Sequence, residues 1–321
     1  MFQKWFLEPI FVDKRHPEIK NNQYLSIKLF TMKLKSNVKK SLTIMALAVF
    51  VAGGIVSCTP PKPAKEVGLQ LYSIREDMKA DTKGTIEKVG KMGYKLIEAA
   101  GYSDGKIYGM EPADFKALAD ANGLNFISAH CGQAVPDSAN WETSMAWWDT
   151  CIAAHKAAGV QYIVQPFMDS IGYQSLAGNQ RYCDYFNAVG EKCNAAGIRF
   201  GYHNHDAEFK EVEGEIIYEH MLKNTDPAKV MFQMDLYWIT VGGKNPVDYF
   251  NAYPGRFELW HVKDKTEIGG SDAIIDFKPI FENAAKSGMK HFIVEVEESK
   301  LPLIESVQKS VEYLQAAEFV N

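Results

Sequence analysis

The chain is poor in cysteine, with five in 321 residues, at positions 58, 131, 151, 183 and 193. Their spacings fit neither a zinc knuckle nor a dense disulfide framework. Cys183 and Cys193 fall on one expected helix, ten residues or ~15 Å apart, too far to bridge. The four cysteines after residue 58 are expected to be buried thiols. A basic excess is also lacking, since the formal net charge is −5. Low-complexity runs are absent, so a packed core is expected. The first strand-like run is followed by Ser73-Ile74-Arg75-Glu76-Asp77. No glycine fingerprint stands there, which argues against an open dinucleotide-binding sheet.

The N-terminal stretch reads differently from the rest. Lys33, Lys35, Lys39 and Lys40 form a basic region after Met32, and Leu42 to Val56 form an apolar run. That run is shorter than the ~20 residues a bilayer span needs, which fits a removable signal segment. Ile55-Val56-Ser57-Cys58 resembles the lipobox of bacterial lipoproteins. The resemblance implies lipidation at Cys58 and export to the periplasm or outer membrane, with the membrane contacted through a lipid anchor only. Thr59-Pro60-Pro61-Lys62-Pro63 is then a stiff tether. The expected organisation is an upstream extension and signal peptide at 1–57, a lipidated cysteine and tether at 58–66, and a single catalytic domain at 67–321. Nine of the 35 basic and three of the 40 acidic side chains precede Cys58, so the remainder carries 26 against 37, a formal −11. Such a surface repels phosphate backbones, and nucleic acid is not an expected partner.

Eight strand-like runs alternate with eight amphipathic runs. The strands are expected at Val67–Tyr72, Lys95–Gly101, Asn125–Cys131, Gln161–Phe167, Arg199–His205, Val230–Trp238, Phe257–Asp264 and His291–Glu297. Helices are expected near 82–92, 112–122, 141–158, 175–196, 214–224, 246–252, 277–287 and 301–319. Gly93, Gly123, Gly159, Gly197 and Gly288 each stand just past a helix and two or three residues before a strand. A left-handed residue is needed at such a position. Eight units of this kind predict an α/β fold, a (β/α)8 TIM barrel preceded by a lipoprotein signal peptide.

In such a barrel the C-terminal strand ends meet around one pocket. Polar residues gather there: Glu98, His130, His203, Asn204, His205, Asp235, His261, Lys263, Asp264, Glu295 and Glu297. Burying them is costly unless they have partners, and enclosing one cation would meet that cost. Glu98 and His130 are substrate or acid/base candidates. Lys263 either holds substrate or pairs with Asp264. Tyr72 and Trp238 are candidates for stacking on a sugar face, and Glu297 is expected to point away from the pocket.

The chain after the tether resembles the xylose isomerase-like barrel superfamily of sugar phosphate isomerases and epimerases. The resemblance rests on Gln233-Met234-Asp235-Leu236-Tyr237-Trp238, His261-Val262-Lys263-Asp264, the segment Gly270 to Phe277, and Ile293-Val294-Glu295-Val296-Glu297. It implies metal ligands at Asp235, His261 and Glu295. The family's strand-five Glu is missing, since Tyr202-His203-Asn204-His205 stands in its place. The fourth ligand is therefore expected at His203, with His205 second. An Asp, Glu and two-His set suits Mn2+ or Zn2+, and also Fe2+, better than Ca2+ or Mg2+.

These residues imply a divalent-metal sugar isomerase or epimerase acting on a keto-sugar or its glycoside. Glu295 is the expected base, with Glu98, His130 or His205 as a second acid/base. Substrate is expected on Tyr72, Asn204, Trp238 and Lys263. The Tyr-His-Asn-His run is also similar to inosose dehydratases, so a lyase or dehydratase on a 3-keto-sugar or inosose-like substrate is the alternative. A non-catalytic glycan-binding lipoprotein is a third possibility, which predicts no bound transition metal. DNA-repair endonuclease activity needs a second ligand His after the Asp, where this chain has Asp235-Leu236-Tyr237-Trp238.

Overall fold

The computed structural model describes residues 65–320. The expected signal segment, the lipidation site at Cys58 and most of the tether lie outside the described residues. Eight parallel strands close into one barrel: β1 (Val67–Gln70), β2 (Leu96–Ala99), β3 (Asn125–His130), β4 (Tyr162–Gln165), β5 (Arg199–His203), β6 (Val230–Asp235), β7 (Leu259–Val262) and β8 (His291–Val294). They pair in chain order, and β1 pairs with both β2 and β8.

The connecting helices are α1 (Thr82–Met92), α2 (Pro112–Ala121), α3 (Trp141–Ala157), α4 (Leu176–Ala195), α5 (Ile217–Asn224), α6 (Pro246–Ala252), α7 (Phe277–Glu282) and α8 (Leu303–Ala316). The five junction glycines all have positive φ, between 70° and 102°. Their placement by sequence therefore has the expected physical cause: each ends a helix in a conformation that side chains with a Cβ avoid.

The barrel interior has two parts. Its floor is apolar, built from Leu96, Ile127 and Ile293 in one cluster and Tyr162, Val164, Met231 and Leu259 in another. Gly201 makes room in this floor, because a Cβ there would lie 2.4 Å from the Met231 side chain. The larger core lies outside the barrel wall, between strands and helices, where Trp148 meets Phe200 edge-on and Trp260 stacks on Phe250.

A bulge in β3 decides what the upper part contains. Ile97 pairs with Phe126, but Glu98 pairs with Ser128, so Ile127 is surplus to the ladder. Ile127 joins the floor cluster while Ser128 hydrogen-bonds Glu98. Two successive residues thus serve the interior, as a bulge permits.

The expected strands overran at their C-terminal ends, by three residues in the eighth and also in the sixth. There the apolar Leu236-Tyr237-Trp238 continues the pattern, yet Leu236–Val241 is helical and Asp235 is its N-cap. Sequence periodicity also did not show the short helix Arg75–Ala80 or the two-stranded hairpins at Tyr102–Ile107 and Glu211–Ile216.

Candidate metal centre and active site

Above the floor, the strand ends turn polar side chains toward one another. Asp235 ends β6 and divides its carboxylate. Oδ1 accepts from the backbone N–H groups of Tyr237 (2.9 Å) and Trp238 (2.8 Å), capping the following helix. Oδ2 is buried and has no hydrogen-bond partner. It lies 3.9 Å from His203 Nε2 and 4.0 Å from His261 Nδ1. His261 Nδ1 is in turn 3.3 Å from Glu295 Oε2. Ligating atoms of His203, Asp235, His261 and Glu295 all lie within 4.8 Å of one another, and all four residues are buried.

A bare buried carboxylate oxygen facing two imidazoles is costly as it stands. The same four groups fit a divalent ion of borderline softness. Burial pushes Asp235 up to about 7, with Glu295 adding to the rise and Lys263 and His261 opposing it. Burial and the neighbouring imidazoles hold His203 well below its usual value, so it is neutral and keeps a lone pair. Burial works against a charge on His261 as well. Glu98 and Glu295 flank that ring, however, and outweigh burial, raising it to about 10.

Glu98 lies beneath this group rather than beside the cavity. It is fully buried and has five partners. Gln70 Nε2 donates to Oε1 at 2.7 Å, and Gln233 Nε2 and Ser128 Oγ donate to Oε2. His261 Nε2 lies 2.6 Å from Oε1 and His130 Nε2 lies 3.1 Å from it. Burial would raise Glu98, but His130 and His261 hold it well below the usual carboxylate range. A carboxylate so enclosed orients His261, as an outer-shell carboxylate orients a metal-bound imidazole. The sequence placed Glu98 among the acid/base candidates. Its partners Gln70, Ser128 and Gln233 were missed, although Gln233 shares strand parity with Asp235 and could have been found that way.

The cavity above measures about 300 Å³ and is lined by Tyr72, Ala100, His130, Pro166, His203, His205, Glu295 and Glu297. His130 keeps its Nε2 2.8 Å from Gln233 Oε1. His205 lies outside the four-residue group and leans on His203, with ring centroids 5.0 Å apart. Its backbone N–H donates to Glu208, a buried carboxylate that also accepts from Tyr202 and whose role the sequence did not suggest.

Lys263 pairs with Glu295 at 3.1 Å and Glu297 at 2.8 Å, and not with Asp264, whose oxygens accept from backbone N–H groups of residues 265, 274 and 275. Glu297 therefore faces the cavity, contrary to expectation, because Lys263 draws it there. Burial opposes ionisation of Glu295, yet Lys263 and His261 prevail and hold it well below the usual range. Trp238 lies under the Lys263 ammonium, 5.0 Å from ring centroid to nitrogen. Asn204 turns away from the cavity and clamps the Asp235 backbone, accepting from its N–H at 3.1 Å. Tyr72 lines the mouth, 43% exposed, with the Arg75 guanidinium over its ring.

Comparison with known proteins agrees with this architecture. A solved sugar phosphate isomerase/epimerase from Parabacteroides distasonis is 34% identical, with a TM-score of 0.76, over 82% of this chain and 98% of that one. An inosose dehydratase from Lacticaseibacillus casei is 27% identical over 153 residues, 40% of this chain and 51% of the relative. The chain spans about half the length of the curated relatives it matches. A solved IOLI protein with a bound zinc atom shares the fold at 13% identity, with a TM-score of 0.62, over 79% of this chain and 98% of that one. Residues 86–317 match the family model of the xylose isomerase-like TIM barrel. The chain belongs to the xylose isomerase-like TIM barrel family.

Proposed function

We propose that the protein is a divalent-metal enzyme that removes the proton beside the carbonyl of a keto-sugar or its glycoside, with β-elimination as the outcome. The carrying observation is the buried, partnerless Asp235 Oδ2 between His203 and His261. His203, Asp235, His261 and Glu295 would hold one ion, Mn2+ or Zn2+ by their chemistry. Such an ion supplies Lewis acidity toward a carbonyl and its neighbouring hydroxyl.

The chain's own groups divide the remaining work. Glu295, kept ionised by Lys263, accepts the proton from carbon. Both carboxylates in the cavity wall, Glu295 and Glu297, come from the end of β8, whereas the facing wall offers the imidazoles of His130 and His205. One base on one side and one acid on the other suffice for elimination, whereas two-sided epimerisation draws on opposed bases. Lys263 is matched by the two carboxylates, and the lining among the described residues carries no Lys or Arg. That favours an uncharged sugar over a phosphorylated one.

The 34% identical isomerase/epimerase supports a second reading, in which His130 or His205 returns the proton to the other face. Incubating 3-keto-glucosides and inosose with metal-loaded protein in D2O separates the two. Loss of the leaving group supports the lyase, and deuterium incorporation with the leaving group retained supports the epimerase. If the loaded protein catalyses neither process, the enzymatic proposal fails.

We further propose that Cys58 carries the lipid of an exported protein. Radiolabelled palmitate should be incorporated by cells expressing the chain and lost with Cys58→Ser; label retained in that variant would refute the anchor.

A further inference from the structure

A second group of metal-binding side chains lies behind β3, in the layer between that strand and α3. Cys131 follows His130 at the strand end, while Cys151 and His155 stand one turn apart on α3. One ligating atom from each lies within 4.8 Å of the others, and all three side chains are buried. His155 Nδ1 is 2.8 Å from the carbonyl oxygen of Cys151. A carbonyl only accepts, so Nδ1 carries the hydrogen and Nε2 keeps its lone pair. That Nε2 lies 3.6 Å from Cys131 Sγ, Cys151 Sγ lies 3.5 Å from Nδ1, and the Tyr102 ring covers the imidazole with centroids 5.0 Å apart.

We propose that Cys131, Cys151 and His155 form a second metal site, for a thiophilic ion of the Zn2+ type. Bonds of ~2.3 Å to sulfur and ~2.1 Å to nitrogen at a tetrahedral angle separate the two ligand atoms by roughly 3.6 Å. The Cys131–His155 distance has that value. The imidazole tautomer is the one a backbone carbonyl imposes on a metal-bound histidine. Binding is a proton exchange: each thiol gives up its hydrogen to solvent as its sulfur takes the ion, so two protons leave per ion. The competing arrangement is a packed thiol donating to the imidazole, with no ion. Two sulfurs and one nitrogen are softer than the two imidazoles and two carboxylates at the barrel mouth, so the two sites differ in metal preference. Because Cys131 adjoins His130, an ion here also anchors the strand end that presents His130 to the cavity.

The test is Co2+ titration of metal-free protein, followed by displacement with Zn2+. A thiolate-to-cobalt charge-transfer band should appear in the near ultraviolet, with two ions bound at saturation. Cys151→Ser should abolish the band and leave one ion. Asp235→Ala should keep the band and also leave one ion, so failure of the mouth site gives a different pattern. Cys58→Ser should keep the band, assigning it to the buried thiols. The unsubstituted protein decides the matter without any variant: no band, or a Cys131–Cys151 disulfide seen as a loss of two hydrogens by mass, overturns the site.

Discussion

The floor and the mouth of the barrel are built by the same eight strands and follow opposite rules. In the floor, Leu96, Ile127, Ile293, Val164, Met231 and Leu259 fill space with side chains that need no partners. At the mouth, Glu98, His130, His203, Asp235, His261 and Glu295 crowd charge into nearly as dry a volume. The floor stabilises the fold by burial, at ~25 cal/mol per Å² of apolar surface. The mouth costs stability through desolvation, and only partners or an ion offset it. Each half can therefore be damaged without the other, and the separation can be measured.

The largest effect is expected from Asp235→Asn. The amide oxygen can still cap the helix at Tyr237 and Trp238, but the charge facing His203 and His261 is gone. Activity should fall about a thousandfold, the several kcal/mol that metal-ion charge stabilisation supplies. The metal-free thermal midpoint should stay level or rise, because an unmatched buried charge has been removed. A clear drop in that midpoint would show that Asp235 is mainly structural.

Leu259→Ala inverts the pattern. It should cost ~2–5 kcal/mol in denaturant unfolding, while turnover per folded molecule stays within about twofold of the parent by the same comparison. Loss of turnover in proportion to stability would mean that floor and mouth are coupled.

Glu98→Gln probes the boundary between them. Metal affinity should fall by ~10–100-fold, the usual effect of losing an outer-shell carboxylate. Unchanged affinity by calorimetry would remove Glu98 from the metal-orienting network.

The smallest effect concerns pH. Without an ion His261 is protonated up to about 10. An ion on Nδ1 displaces one proton, so binding is weakened as pH falls and strengthened as it rises. Affinity should climb by about one decade per pH unit between 8 and 9, above the titration of Asp235 near 7 and below that of His261. Calorimetry in buffers of different ionisation enthalpy would count the released protons, and a flat profile would exclude His261 Nδ1 as ligand.

Much of this architecture was legible in the sequence. The eight strand positions and the five junction glycines follow from period-two and period-3.6 patterns and from backbone conformations that only glycine adopts readily. That polar groups would meet at the mouth followed from polar residues ending apolar strands, whereas the choice of Asp235, His203, His261 and Glu295 among them followed from the family resemblance. What escaped depends on contacts between distant strands. Glu98 looks like any polar strand terminus until Gln70, Ser128 and Gln233 close around it. Glu297 was misjudged against alternation, which puts it on the face of Glu295, where Lys263, one strand away, holds it. The apolar Leu236-Tyr237-Trp238 continues past Asp235, so the switch from strand to helix is visible only in the cap that Asp235 forms.

The extra residue in β3 has a consequence for how such a barrel could be modified. Removing Ile127 would restore an uninterrupted ladder, with Ser128 still opposite Glu98 and His130 still turned inward. The chemistry would keep its address, and the damage would be a void at the centre of the barrel. A shorter strand would thus be more regular on paper and worse as a solid.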